Sequence, residues 1–272
     1  MPNVRVSART DVGHHRSHNE DAWLVGQRVW VVADGMGGHA AGDVASRLAI
    51  TSLADLDGPL ELAPSAVNAA VATANTAILN HGAENPDTRG LGTTVTGLVE
   101  VTVAGLAHWA VFNVGDSRVY RYAGGELRRV TVDHSEVEEL VAEGLIDAEE
   151  ARTHPARNII TRSVGMRPAP SVDVWVLPQT RGERFLLCSD GLTSELTDAQ
   201  IASVLAAHDD SSEAASALVE AVLAAEARDN VTVVVVDVAG AEQGAGDEAT
   251  VPRNLWATDV WSSDAMLEED QR

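Results

Sequence analysis

Carboxylates stand at the ends of several apolar, β-branched segments of this chain. Asp34 follows residues 29–32, and the glycines directly after it would let the backbone turn tightly and approach a ligand. The other acidic positions are Asp190 after 185–188, Asp116 after 111–114, Asp229 before 231–236, and Glu20 with Asp21 before 22–25. One such site would be an ordinary strand-ending turn, but together they predict acidic groups that converge on one end of a sheet.

Clustered carboxylates without His or Cys ligands select hard cations such as Mg²⁺ or Mn²⁺. Two such ions about 3.5–4 Å apart can bind a water, lower its pKa and neutralise a phosphoryl group as it is displaced. Arg16 lies close in sequence to Glu20 and Asp21, and a guanidinium suits bidentate phosphate binding. We therefore expect phosphoryl-transfer chemistry, with Arg16 holding the phosphate.

Four histidines lie near these acidic residues, at positions 14, 15, 18 and 39. A site for hard ions does not favour imidazole, so they are predicted to be loop residues rather than ligands. His39 is nevertheless a candidate general acid that would protonate the leaving alkoxide.

Composition excludes several classes of function. The 272 residues carry a net charge of −22, which argues against nucleic acid and anionic membranes as partners. All 19 basic residues are Arg, so neither Schiff-base chemistry nor a P-loop lysine is available. No signal pattern or membrane-spanning run is seen, and we expect a cytoplasmic protein.

The single cysteine, Cys188, lies inside an apolar segment and is predicted to be a core residue. It can form no disulfide within the chain, which fits a reducing compartment. A thiol phosphatase would need an Arg at position 194, and that position is Ser194.

The elements that must position these residues follow from periodicity and turn signals. Strands are predicted over residues 4–9, 21–25, 29–32, 93–103, 106–114, 117–122, 126–131, 173–177, 184–188 and 231–238. Helices are predicted over 43–53, 65–79, 197–207 and 211–227, the last two with hydroxyl N-caps. Short connections favour antiparallel pairing and count against a Rossmann fold. Two antiparallel sheets with a helix pair outside each would bury these elements.

Two regions stand apart from that pattern. Residues 134–170 are polar and irregular, and predict a surface insertion with two short helices, the second N-capped by Asp147. Residues 241–272 carry eight acidic residues and two Arg, and predict a flexible tail. Trp256 and Trp261 leave two interpretations of the tail open: an ordinary disordered end, or a docking segment.

Seven motifs occur in the order typical of metal-dependent protein phosphatases of the 2C type, and residues 3–240 resemble that family, especially its compact bacterial branch. The motifs occupy residues 16–22, 32–39, 92–94, 113–118, 133–135, 187–192 and 229–232. The resemblance implies an α+β fold, a four-layer αββα sandwich of two antiparallel sheets flanked by helix pairs. It also implies that residues 134–170 form a flap beside the site.

The resemblance also implies roles for the acidic residues. Asp34 would bridge two Mn²⁺ or Mg²⁺ ions, Gly35 would offer its carbonyl to one, and Asp190 and Asp229 would hold the other. Glu20 and Asp21 would orient metal-bound waters, Arg16 would clamp the phosphate, and Asp116 with Asp190 would bind a third, weaker metal.

Two departures from the family pattern matter. Animal relatives carry a His directly after the Asp-Gly pair, proposed as the general acid, whereas this chain has Met36 and only His39 nearby. The flap is also acidic over residues 136–139. We hypothesise that this acidity disfavours acidic phosphosites.

The leading hypothesis is a monomeric phosphatase of phosphoserine and phosphothreonine proteins, with a role in signalling. Its expected partners are a bacterial Ser/Thr kinase or the substrates of that kinase. The alternative is a catalytically weak phosphoprotein-binding regulatory module of the same fold. Loss of a ligand position would favour that alternative, and none is lost in the sequence.

Overall fold

Two antiparallel β-sheets pack face to face in the computed structural model, which describes residues 4–37, 41–58 and 61–239. The first sheet has the order β1 (Val4–Asp11), β11 (Val231–Val238), β10 (Arg184–Cys188), β7 (Arg118–Ala123), β8 (Glu126–Arg129). The second has the order β2 (Asp21–Val25), β3 (Val29–Met36), β5 (Val95–Val103), β6 (Leu106–Val114), β9 (Asp173–Pro178), with β4 (Gly92–Thr93) beside β3.

Large apolar side chains fill the space between the sheets. Trp109 packs edge-on against both Trp30 and Phe185, with ring centroids 5.9 and 6.1 Å apart. Strand β11 is buried at every position, because it is central in its sheet and covered on both faces. This explains why residues 231–238 are an almost unbroken β-branched run rather than an alternating one.

Helices cover the outer face of each sheet. Helices α1 (Gly42–Leu53) and α2 (Ser65–Glu84) share a core with the second sheet. On the first sheet lie α5 (Asp190–Glu195), α6 (Asp198–Ala207) and α7 (Ser211–Leu223). The insertion carries α3 (Glu136–Ala142) and α4 (Ala148–Thr153), the latter N-capped by Asp147. The predicted α+β four-layer sandwich of two antiparallel sheets between helices is confirmed.

Strand β3 is longer than the sequence predicted. It runs through Asp34 and Gly35 to Met36, because Gly35 and Met36 pair with Thr93 and Gly92 of β4. The glycines after Asp34 had suggested a strand that stops at the acidic residue. Asp34 is therefore held inside a strand rather than in a loose turn.

The helices on the first sheet also differ from the prediction. Helix α5 was not predicted, since Asp190 followed by glycine looked like a turn. Helix α7 ends at Leu223 rather than at 227, and Ala227 adopts a left-handed φ of 45°. Its N-cap is Asp210, whose carboxylate accepts two backbone N–H groups, not the hydroxyl residue that was predicted.

Residues 134–170 are largely exposed. One β-bridge, Ser135 to Ile160, joins two segments of the insertion to each other, and another, Thr93 to Val164, joins it to β4. Within the described ranges, no helix has the length and apolarity needed to cross a membrane. His39 and the predicted tail at 241–272 lie outside the described residues.

Candidate metal and phosphate site

The acidic residues predicted at the strand ends lie together at one end of the two sheets. Asp21 and Asp34 are direct cross-strand neighbours on β2 and β3. Asp190 begins α5 immediately after β10, and Asp229 precedes β11, which neighbours β10. Asp116 lies in the turn between β6 and β7, where its charge acts on Asp34. Separate parts of the chain thus bring five carboxyl groups to one place.

The backbone at Gly35 touches two other segments, so only glycine fits there. A Cβ atom at Gly35 would lie 2.1 Å from the Gly42 carbonyl oxygen and 2.6 Å from that of Glu20. Gly42 is restricted from the opposite side, since its Cβ would lie 2.7 Å from the Gly35 oxygen and 2.8 Å from Glu20 Oε1. The start of α1 therefore packs directly on the strand that carries Asp34. Sequence reasoning gave no signal for the role of Gly42.

Two threonines fix the main chain of Asp34. Thr94 Oγ1 accepts the Asp34 N–H at 3.0 Å, and Thr93 Oγ1 donates to the Asp34 carbonyl oxygen at 2.9 Å. Both threonines are fully buried. Their motif was noticed in the sequence, but its role in holding Asp34 depends on the pairing of β3 with β4 and was missed.

The carboxyl groups of Asp34 and Asp190 lie close enough for each to affect the pKa of the other. Burial raises the pKa of Asp34 well above its usual value, and the charges of Asp21 and Asp190 raise it further. Burial also raises the pKa of Asp190 to about 6, and the charge of Asp229 adds to this. Carboxyl groups packed this closely keep protons unless a cation replaces them.

Asp21 and Asp116 each carry a buried oxygen with no hydrogen-bond partner in the described part of the chain. Asp21 Oδ2 accepts from Ser189 Oγ at 2.8 Å, whereas Asp21 Oδ1 meets no donor there. Burial raises the pKa of Asp21 to about 7. Asp116 Oδ1 is also unpartnered there, and burial followed by the charge of Asp190 raises the pKa of Asp116 well above normal. Buried polar atoms are normally paired, so these oxygens point to a missing ligand.

Arg16 reaches the acidic cluster from the loop between β1 and β2. Its Nη2 donates to Asp229 Oδ2 at 2.7 Å, and half of its side chain is exposed. The hydrogen bond to Asp229 raises the pKa of Arg16, and the charges of Glu20 and Asp34 add to this. A guanidinium thus lies on the solvent side of the carboxyl groups, where an anion could reach it.

The remaining predicted residues of this loop are placed differently. Glu20 faces the start of α1, with its Oε1 accepting the Gly42 N–H at 3.2 Å. His14, His15 and His18 are exposed on the loop. His18 Nδ1 lies 2.8 Å from Ser17 Oγ.

The turn that carries Asp116 is anchored by the segment leading into the insertion. His134 Nδ1 accepts the Gly115 N–H at 3.0 Å, and the His134 N–H donates to the Gly115 carbonyl at 2.9 Å. Arg118 donates to both carboxylate oxygens of Asp133. The insertion therefore meets the acidic site at its base through fixed contacts, which sequence reasoning did not assign.

A family model described as protein phosphatase 2C matches residues 13–226. The chain belongs to the protein phosphatase 2C family. It is 40% identical over 266 residues to the serine/threonine protein phosphatase PstP of Mycobacterium tuberculosis, covering 92% of this chain and 50% of PstP. It is 35% identical over 245 residues to the serine/threonine phosphatase Stp of Listeria welshimeri, covering 86% of this chain and 96% of Stp.

A solved structure of the PstP catalytic domain in complex with two manganese ions superposes with a TM-score of 0.78 at 40% identity. The match covers 87% of this chain and 99% of that domain. The chain spans about half the length of the full PstP protein.

The residues of this protein phosphatase 2C domain fit a divalent cation by their chemistry. All donors are oxygen atoms, burial and like charge raise the pKa values of several carboxyl groups, and Asp21 Oδ1 and Asp116 Oδ1 have no hydrogen-bond partner among the described residues. No three His, Cys, Asp or Glu side chains of the described residues already form a ligand set.

Proposed function

We propose that this chain is a metal-dependent phosphatase that hydrolyses phosphoserine and phosphothreonine in proteins. The main support is the meeting of five carboxyl groups and one guanidinium at one end of the sandwich. Both PstP and Stp are named serine/threonine phosphatases. Because the chain keeps an oxygen donor at every predicted ligand position, catalysis is favoured over a binding module.

We assign the cofactor as two Mn²⁺ or Mg²⁺ ions, since a cluster of oxygen donors selects hard cations. Asp34 would bridge the ions and the Gly35 carbonyl would bind one of them. Asp190 and Asp229 would hold the other. Asp116, with Asp190, would hold a third and weaker ion. The two manganese ions bound by the PstP domain support this assignment.

The bound ions would supply an activated water and neutralise charge on the phosphoryl group. Arg16 would bind the phosphate oxygens with its guanidinium, exchanging its contact with Asp229 for the substrate. A cation beside Asp34 and Asp190 would favour their ionised forms and so lower their raised pKa values. Glu20 and Asp21, beside the ligands, would hold the surrounding solvent by hydrogen bonds.

His39 is our proposed general acid, because Met36 occupies the position directly after Gly35 and cannot donate a proton. His39 lies outside the described residues. The proposed partners are a Ser/Thr kinase or its substrates, in a cytoplasmic signalling role, with the phosphatase acting as a monomer.

The insertion bears on the choice of substrate. The first turn of α3 presents Glu136, Glu138 and Glu139, and Glu138 is paired with Arg129. We propose that the negative charge of Glu136 and Glu139 in this turn repels acidic phosphosites.

A phosphopeptide with acidic flanks should be hydrolysed more slowly than a neutral one. The double substitution of Glu136→Gln and Glu139→Gln should reduce the difference between the two hydrolysis rates. Faster cleavage of the acidic peptide would contradict the idea.

The proposed activity is tested by hydrolysis of a phosphothreonine peptide with and without Mn²⁺. Turnover should require the metal and should fall by about 10³-fold in Asp34→Asn. Asp87→Asn, an exposed substitution in the turn after α2, is the matched control and should keep full activity. A folded wild-type protein without turnover in Mn²⁺ or Mg²⁺ would contradict the proposal.

A further inference from the structure

The loop that carries Arg16 is tied down by one buried side chain, Asn230. Its Nδ2 donates to the carbonyl oxygens of Val12 at 2.9 Å and His18 at 3.0 Å. Its Oδ1 accepts the Glu20 N–H at 2.8 Å. Asn230 is 5% exposed, and all three of these hydrogen bonds go to the main chain of residues 12–20.

The same loop lies directly against the backbone that carries Asp229. A Cβ atom at Gly13, where φ is +74°, would lie 2.3 Å from the Asp229 carbonyl oxygen. The His14 N–H donates to the carbonyl oxygen of Ala227 at 2.8 Å. The loop is thus seated without space between it and residues 227–229.

Arg16 lies between the points at which Asn230 holds the loop, with Val12 on one side and His18 and Glu20 on the other. Its own side chain is half exposed, and a long exposed side chain loses considerable conformational freedom when it is fixed in one place. A loop that is held on both sides of Arg16 limits the positions that the guanidinium can take. The support for this placement is Asn230, which is distant in sequence from the loop.

We infer that Asn230 is a positioning residue that fastens the loop of residues 12–20, so that Arg16 is held where the substrate phosphate binds. This inference rests on the proposed phosphatase function. Asn230 meets the Asp229 carboxylate only through its backbone N–H, at 2.8 Å, and a side-chain substitution keeps that contact. The side chain of Asn230 therefore acts on the loop and not on the Asp229 carboxylate.

The kinetic test is a double-mutant cycle with Asn230→Ala and Arg16→Ala in Mn²⁺. Arg16→Ala should raise KM for a phosphothreonine peptide about 10–100-fold, because a charge-assisted phosphate contact is lost. Asn230→Ala should raise KM about tenfold with kcat changed less than about threefold. In the Arg16→Ala background, Asn230→Ala should raise KM by less than about a further twofold. If the KM effects of the two substitutions multiply instead, the inference is overturned.

Asn75→Ala is the matched control, because Asn75 is also a buried asparagine that ties down a loop. Its Oδ1 accepts the N–H groups of Gly165 at 2.7 Å and Met166 at 3.1 Å, far along the chain from Arg16. Any effect of Asn75→Ala on KM should multiply with that of Arg16→Ala. If the KM effects of Asn75→Ala and Asn230→Ala both disappear to the same extent in the Arg16→Ala background, the cycle reports general destabilisation. The inference would then fail.

A second readout needs neither metal nor activity. Trypsin cleaves after Arg, so cleavage of the Arg16–Ser17 bond, followed by mass spectrometry, reports on the loop. In the metal-free protein this cleavage should be about tenfold faster in Asn230→Ala than in the wild type. Asn75→Ala should match the wild type. Cleavage after Arg184, which is buried in β10, measures global unfolding and should stay slow.

If Asn230→Ala does not fold, Gly13→Ala replaces it, since the added methyl group would push the loop away from Asp229. An unchanged rate of Arg16–Ser17 cleavage in a folded variant overturns the inference. A third outcome separates the two proposals. If the Arg16–Ser17 bond is cleaved faster in Asn230→Ala but the wild type hydrolyses no phosphopeptide, the proposed function is refuted, whereas the role of Asn230 in holding the loop is supported.

Discussion

Strand β10 has buried charges at both of its ends, but the two ends are built differently. At its beginning, Arg184 donates to both oxygens of Asp237 on β11 and to the carbonyl oxygens of Leu205, His208 and Asp209. Just beyond its other end, Asp190 lies near Asp34, another acid, and each alters the pKa of the other. Charge is paired with opposite charge at the first end and gathered with like charge at the second.

Glu183, beside Arg184, follows the same rule as its neighbour. It accepts from Trp109 Nε1 at 2.8 Å, from Arg121 Nε at 2.6 Å and from the Thr180 N–H at 2.8 Å. A buried charge without partners is costly, so each one at this end has donors or acceptors that satisfy it. At the acidic end Arg16 pairs with Asp229, but Asp21 and Asp116 each keep a buried oxygen without a partner among the described residues, which is expected where a cation is to bind.

The largest expected effect breaks the paired end. Asp237→Asn removes the charge that compensates buried Arg184 and should lower the free energy of unfolding by about 3–5 kcal/mol. Urea denaturation measures this. Glu126→Gln, in the exposed pair of Glu126 and Arg128, is the control and should leave stability unchanged. An Asp237→Asn variant as stable as the wild type would remove the distinction between the two ends.

A smaller effect concerns the acidic end in the metal-free protein. The pKa of Asp190 is raised to about 6 and that of Asp21 to about 7, so between about pH 4 and these values the folded state binds more protons than the unfolded chain. This contribution to stability is fully present below about pH 4 and is lost as the pH rises through 6 to 7. Metal-free protein should therefore be about 2 kcal/mol more stable at pH 5.5 than at pH 8.

Urea denaturation at the two pH values, in a chelating buffer, measures that difference. Asp21→Asn keeps the shape of the side chain but cannot ionise, so it should be more stable than the wild type at pH 8 and show a smaller difference between the two pH values. A wild-type protein that is more stable at pH 8 than at pH 5.5 would contradict the raised pKa values.

The smallest expected effect concerns Cys188, which precedes Ser189 and Asp190 at the end of β10. It is fully buried, and burial raises the pKa of its thiol to about 12. Iodoacetamide should therefore neither label the native protein nor change its activity. Labelling in urea is the positive control. Rapid modification of the native protein with loss of activity would contradict this prediction, because it would mean that the thiol is accessible and belongs to the active site.

Local patterns in the sequence predicted much of the fold. Strands β2, β6 and β10 have the predicted bounds, because apolar β-branched runs with clear turn signals leave little ambiguity. The end of β3 was wrong, since its last pairs depend on β4, more than fifty residues away. Helix α5 was missed because a helix this short has little periodicity to detect.

The meeting of the acidic residues could also be predicted, since strand ends that share one edge of a sheet lie together. The roles of Asp34, Gly35, Asp190 and Asp229 as ligands stay predictions. The three bonds of Asn230 and the backbone contact between Gly35 and Gly42 could not be predicted. They depend on how distant loops pack, which neither composition nor spacing encodes.

The central claim is that the unpaired carboxyl groups form a cation site, and calorimetric titration with Mn²⁺ tests it most directly. Wild type and Asp237→Asn should bind Mn²⁺ alike, whereas Asp34→Asn should bind far more weakly. At pH 6.5, in two buffers of different ionisation enthalpy, wild type should release protons as the ion enters, because burial and neighbouring charges raise the pKa of Asp34 well above its usual value. Equal binding by Asp34→Asn, or no binding by the folded wild type, would contradict the account.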